Sequence, residues 1–275
     1  MIMGRLAELL ASGKRVLWVE ATAYAERLLA DGTVAWLDAA EVVAWHRKAQ
    51  GLLKSDVVAL PVEPIAEAWL AHDEDLVEAM GTKKRAVAPL KTLLATDALR
   101  DHIGEILRGL RASYRNAPLA LVLPSPRRWV AEAYLAAHGE TVDVGDELAD
   151  DAAMYVADFV RSFGDTELDV LLLEESDAPT TTGALEAYRS VLNLAAHYRW
   201  ECGLRSPGPL DVSADGLAFC IAPKSADALP TGLAVSLAFW SGEAAPEVPP
   251  GGFRFVEIPA DAVPETTLER LATLR

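Results

Sequence analysis

Residues Ala120 to Arg128 read ALVLPSPRR, an apolar strand that ends in Ser-Pro and runs straight into a helix. A strand that is apolar on both sides of its pleat is covered on both faces, the mark of a parallel sheet under a helix layer. Similar runs occur at Val16 to Val19, Asp56 to Val62, Ala86 to Leu90, Asp169 to Leu173, Leu217 to Ile221, Leu233 to Phe239 and Phe253 to Ile258, and Leu119 to Leu123 holds the core of the quoted one. Between them lie amphipathic segments. Leu93 to Ala112 lines up Leu94, Leu99, Ile103, Ile106, Leu107 and Leu110 on one face. Asp146 to Phe163 and Thr182 to Cys202 repeat the pattern. Strand followed by helix, many times over, means βα units with right-handed crossovers.

About eight strands in 275 residues predict a (β/α)8 TIM-like barrel, an α/β fold. The open doubly wound sheet is the alternative, and it calls for a glycine-rich turn that is missing: neither GxGxxG nor GxxxxGK[ST] occurs. No linker divides the chain, so residues 1–275 read as a single domain. Residues 1–54, with helices at Ala21 to Ala30 and Ala40 to Leu53, read as an N-terminal helical extension on a barrel of residues 55–275.

Composition narrows the function. Asp and Glu number 41 against 25 Lys and Arg, a formal charge of −16 that disfavours nucleic acid. No apolar run reaches the roughly 20 residues of a membrane helix. Without a signal-peptide pattern at Met1 to Leu10, the cytoplasm is the expected location. Cys202 and Cys220 then read as free thiols. Neither GxSxG nor HExxH is present.

The order of ALVLPSPRR, with a helix and Pro118 before it and YVADFVRSFGDTELDVLLLEE (Tyr155 to Glu175) after it, resembles the uroporphyrinogen decarboxylase and cobalamin-independent methionine synthase superfamily. The resemblance covers roughly Asp56 to Arg205 and continues more loosely to the C-terminus. It implies a barrel enzyme, either a carbon–carbon lyase of the decarboxylase kind acting on a small organic acid, or a methyltransferase. A barrel that has lost catalysis and serves as a binding or subunit partner is the further alternative. The chain also departs from the family. The Arg-Pro-x-Trp-x-Met-Arg-Gln-Ala-Gly-Arg block that holds propionates in the decarboxylases has no match. In LAFCIAP around Cys220, Ala218 stands where the zinc-dependent methyltransferases carry His. The lyase therefore leads, with no cofactor expected and zinc held by Cys220, His197 and Cys202 as the alternative.

Barrel active sites lie at the C-terminal ends of the strands. Residues at the expected ends are Glu63, Lys91, Ser125, Arg127, Arg128, Glu174, Glu175, Asp177, Cys220, Lys224, Trp240 and Glu257. Glu174, Glu175, Lys91 and Glu63 are the catalytic candidates, as acids, bases or, for a desolvated lysine, a Schiff-base former. Alternation along a strand lets one of Glu174 and Glu175 face the barrel axis, and sends the other to the helix layer. Arg127, Arg128, Ser125, Lys224 and Trp240 are the substrate-binding candidates; two guanidiniums at a helix N-terminus suit a carboxylate or a phosphate. Expected partners are thus a small anionic organic molecule and, in assembly, a second copy of the chain. His46, His72, His102 and His138 read as surface residues.

Overall fold

Strands β1 (Leu17–Glu20), β2 (Val58–Pro61), β3 (Leu119–Pro124), β4 (Val170–Glu174), β5 (Thr180–Thr181), β6 (Glu201–Arg205), β7 (Leu210–Asp211), β8 (Phe219–Ala222), β9 (Thr231–Ala234) and β10 (Phe253–Glu257) organise the computed structural model. It describes residues 3–176, 180–208, 210–211, 216–226 and 228–275. Eight of the strands form one parallel sheet in the order β1-β10-β9-β8-β6-β4-β3-β2, while β5 and β7 pair separately. Its two edges, β1 and β2, come together: the Asp56 N–H donates to the Leu17 carbonyl (2.9 Å), the Leu17 N–H to Asp56 Oδ2 (2.8 Å) and the Val19 N–H to Ser55 Oγ (3.0 Å). The sheet is therefore a nearly closed (β/α)8 barrel whose seam is laced partly by side chains. Among the described residues no helix is long and apolar enough to cross a membrane.

Two apolar layers follow from the alternation of side chains. Inside the barrel, Val16, Trp18, Val57, Ala120, Val170, Leu172, Phe219, Ile221, Phe253 and Phe255 form one cluster, with Leu6 of the helix Arg5–Ala11 added from the N-terminal end. That helix is held there by Glu201, which accepts the Leu6 and Ala7 N–H groups at 2.9 Å each. Glycine makes room for the rings. A Cβ on Gly203 would lie 2.1 Å from the Phe219 ring, so the strand can pass the aromatic centre only as glycine. Outside, the larger cluster packs the strands against helices such as Asp97–Ser113, Pro126–His138 and Asp146–Arg161.

Local readings need correction in places. Ala86 to Leu90 is no strand; it leads into the helix Ala88–Leu94, whose Ala88, Pro89, Leu90, Leu93 and Leu94 are all buried. Its first three residues, Ala88 to Leu90, are buried in succession, and so short an apolar run cannot be told from a strand by periodicity. The eighth strand is β6 instead. The sequence reads Cys202 as the end of a helix, but that helix stops at Tyr198 with Arg199 left-handed (φ 61°), and the chain restarts as a strand at Glu201. Leu93 to Ala112 is interrupted at Ala95 and Thr96, and the run Leu233 to Phe239 is split between β9 and the 3-10 turn Leu237–Ser241. Residues 1–54 hold the helices Thr22–Leu29 and Ala39–Leu53 but also β1, a strand of the barrel itself, so they are not purely a helical extension.

Candidate functional site

The C-terminal ends of β1, β2, β4, β6 and β10 surround a cavity of about 340 Å³. Its floor is apolar, from Trp18, Ala59, Val122, Leu172 and Phe255. One wall is the helix Ala39–Leu53, through Trp45, His46, Ala49, Gln50 and Leu53. The rim is charged: Glu20, Glu63, Glu174 and Glu257 with Arg128 and Arg205. Each sits where local structure puts it. Glu20, Glu174, Arg205 and Glu257 are the last residues of their strands, in register as the pairs Glu20 with Glu257 and Glu174 with Arg205. Glu63 opens the helix Glu63–His72, where the positive end of the macrodipole favours an acid. Arg128 lies in the first turn of the helix Pro126–His138, whose N-cap Ser125 accepts the Arg128 N–H at 3.2 Å.

Ion pairs knit this rim. Arg205 reaches Glu174 at 2.7 Å and Glu257 at 2.5 Å, and its guanidinium lies 4.7 Å from the centre of the Phe255 ring. Arg128 pairs with Glu63, with Glu132 at 2.5 Å and with Glu174 at 3.7 Å. Burial works against the charge of Arg205, but Glu174 and Glu257 more than offset it. Glu20 is different. It accepts the Thr22 N–H at 2.9 Å and has no ion-pair partner among the described residues. Burial pushes its carboxyl upward in pKa and Glu257 adds to this, against the bonds from Thr22 and the charge of Arg205. His46, read from sequence as a surface residue, is buried. Its Nε2–H donates to the Ala59 carbonyl at 3.1 Å, and burial lowers its pKa below 6.5.

The sequence candidates divide. Glu174, Glu63 and Arg128 meet at the mouth. Glu175 points the other way, into a buried cluster where it accepts hydrogen bonds from Ser125 Oγ (2.9 Å) and the Tyr188 hydroxyl. Ser125 is likewise fully buried there, away from the cavity. Arg127 is held by the Val144 carbonyl and Asp146 (2.6 Å). Lys91 ends no strand; it is exposed on the helix Ala88–Leu94, 5.2 Å from the Tyr155 ring centre, and does not line the cavity. Lys224 is exposed and does not line the cavity. Trp240 backs the rim, donating from Nε1 to the Glu257 carbonyl at 2.9 Å. Asp177 lies outside the described residues.

The zinc alternative does not fit. Cys202 and Cys220 are buried in the outer layer, Cys220 Sγ lying 3.5 Å from Thr231 Oγ1, and His197 is exposed on the helix Arg189–Tyr198. Burial raises both thiols, Cys202 to about 12. Among the described residues no group of three or more His, Cys, Asp or Glu is placed to hold a metal ion.

Glu20 and Arg205 were the residues beyond sequence reasoning. The run Val16 to Val19 stops one short of Glu20, and Arg205 hides in a strand mistaken for a helix end. The alternation in Glu-Cys-Gly-Leu-Arg, 201–205, was the available signal.

No protein-family model matches the chain, and no curated protein matches it in sequence. Solved structures do. One is a methyltransferase from Methanosarcina mazei, matched with a TM-score of 0.60 over 98% of this chain and 96% of that one. At 12% identity the likeness is one of fold, a barrel of the same architecture.

Proposed function

We propose that this chain is an enzyme that breaks a carbon–carbon bond in a small organic acid at the barrel mouth, with Glu20 as proton donor. The observation that carries this reading is Glu20 itself: a carboxyl at a strand end, facing an apolar-floored cavity, beside another carboxylate and without a cation of its own among the described residues. Such surroundings favour the protonated form of a carboxyl, the form that donates. The substrate carboxylate meets Arg205 or Arg128 by exchange with a resident glutamate, and the organic body lies on Trp18 and Phe255. The bond to the carboxylate carbon then breaks and carbon dioxide leaves. The electron pair stays on the remaining carbon, spread into the substrate's own unsaturation, and takes the Glu20 proton to form a C–H bond. Water returns a proton to Glu20.

Methyl transfer is the second reading, favoured by the fold likeness to the M. mazei methyltransferase. A panel of small β-keto and unsaturated acids incubated with the protein in D2O separates them. The lyase reading expects carbon dioxide release, one deuterium at the carbon that carried it, and a loss of about 10²-fold or more in Glu20→Gln. Transfer of a methyl group from methylated donors to a thiol, with every acid left intact, overturns it. Inertness toward both panels leaves a binding or subunit role.

A further inference from the structure

We infer that the mouth recognises its ligand through a positively charged nitrogen seated at the Glu20–Glu257 pair, so that the substrate class is a small organic acid that also bears an amine. The inference rests on the mouth being the site, as read above. It starts from charge. Glu20, Glu63, Glu174 and Glu257 share one cavity with Arg128 and Arg205, and even with a proton on Glu20 the three other carboxylates outnumber the two guanidiniums. Both guanidiniums are already committed: Arg205 to Glu174 and Glu257, Arg128 to Glu63, Glu132 and Glu174. A ligand with only a carboxylate, taking a guanidinium by exchange, would leave a resident glutamate without its cation.

Position sharpens this. Glu20 and Glu257 are register partners on adjacent parallel strands and both line the cavity. Neighbouring strands run about 4.8 Å apart, and like charges side by side on one face are unfavourable unless a proton or a cation lies between them. Two residues earlier on the same strands, hence on the same face, stand Trp18 and Phe255, whose rings meet edge-on with centroids 6.2 Å apart. Carboxylates above and aromatic rings below are the surroundings that hold an ammonium group. The cavity's 340 Å³ suits a small organic body.

Three probes of matched size test the inference by ligand-observed NMR: butylammonium chloride, 4-aminobutyrate and sodium butyrate. Butylammonium and 4-aminobutyrate are expected to bind, with butyrate at least about tenfold weaker. In the double variant Glu20→Gln, Glu257→Gln, butylammonium affinity falls about tenfold or more. Glu20→Lys places a tethered ammonium in the subsite and abolishes butylammonium binding. Unfolding transitions like that of the parent show that the variants fold, and either variant alone suffices for the test. Butyrate binding as tightly as butylammonium, no binding of butylammonium, or undiminished binding by a folded variant overturns the inference. Ammonium binding without carbon dioxide release from any acid removes the lyase reading and leaves this one standing; acid turnover without ammonium binding does the reverse.

Discussion

His46 shows how burial turns one side chain into a measurable pH response. Its Nε2 carries the proton that bonds Ala59, since a carbonyl can only accept, and burial disfavours adding a second proton to the ring. The folded pKa lies below 6.5, so between that value and 6.5 the unfolded chain binds a proton that the folded chain refuses. Stability from this residue is full above 6.5 and declines as pH falls through the window. Urea midpoints at about pH 7.5 and about pH 5.5 should therefore differ less in His46→Gln than in the parent. An equal difference in both proteins would assign the acid response elsewhere. Glu20 has the opposite sign. Its raised pKa makes the folded chain bind the proton more tightly, so its contribution weakens stability as pH rises from 4.5 through the folded value. At this scale the sequence shows that Glu174 and Glu175 part company, because alternation is a property of any strand. It does not show that His46 is buried, since Arg47 and Lys48 follow it in sequence while its neighbours in space include Ala59 and Tyr114.

The elements at the mouth are tied together from behind. Ser125 caps the helix Pro126–His138 and donates to Glu175, which also takes the Tyr188 hydroxyl, so one buried cluster joins the ends of β3 and β4 to the start of the helix Arg189–Tyr198. Burial foremost, with the Glu175 carboxylate, pushes the Tyr188 phenol up and keeps it a donor. Ser125→Ala removes a cap and a donor together and should cost about 1 to 2 kcal/mol; Tyr188→Phe should cost about 1 to 3 kcal/mol. Chemical denaturation of the two single variants and the double variant checks both values. The sum should not be additive, because both hydroxyls serve one carboxylate. Additive losses would mean that the groups act independently. This element-level link also explains why Ser125, Arg127 and Glu175 look like site residues in a sequence: they adjoin the mouth but face the helix layer.

At the scale of the whole molecule, the β1–β2 seam is the weak line of the barrel, since Asp56 and Ser55 side chains stand in for part of a backbone ladder. Asp56→Ala should raise hydrogen exchange at the Leu17 and Val19 amides, with smaller changes at β3 and β4. Uniform protection across β1 and β4 in that variant would show that packing, not this bond, closes the barrel. The seam also lets the helix Ala39–Leu53 reach the cavity, so the mouth is partly built from the first 54 residues.

The sequence by itself determined the architecture: apolar runs covered on both faces, alternating with amphipathic helices, leave few ways to bury both layers, and a (β/α)8 barrel is one. It determined Glu63, Arg128 and Glu174 as mouth residues too, because they lie at strand ends or in the helical turns that follow. Only the tertiary structure decided that Glu201 to Arg205 is a strand and Ala86 to Leu90 is not. Both are short, and helix or strand is settled there by what the neighbours leave unpaired. The pairing of Glu20 with Glu257 was likewise beyond sequence, since 237 positions separate two residues that barrel closure sets side by side.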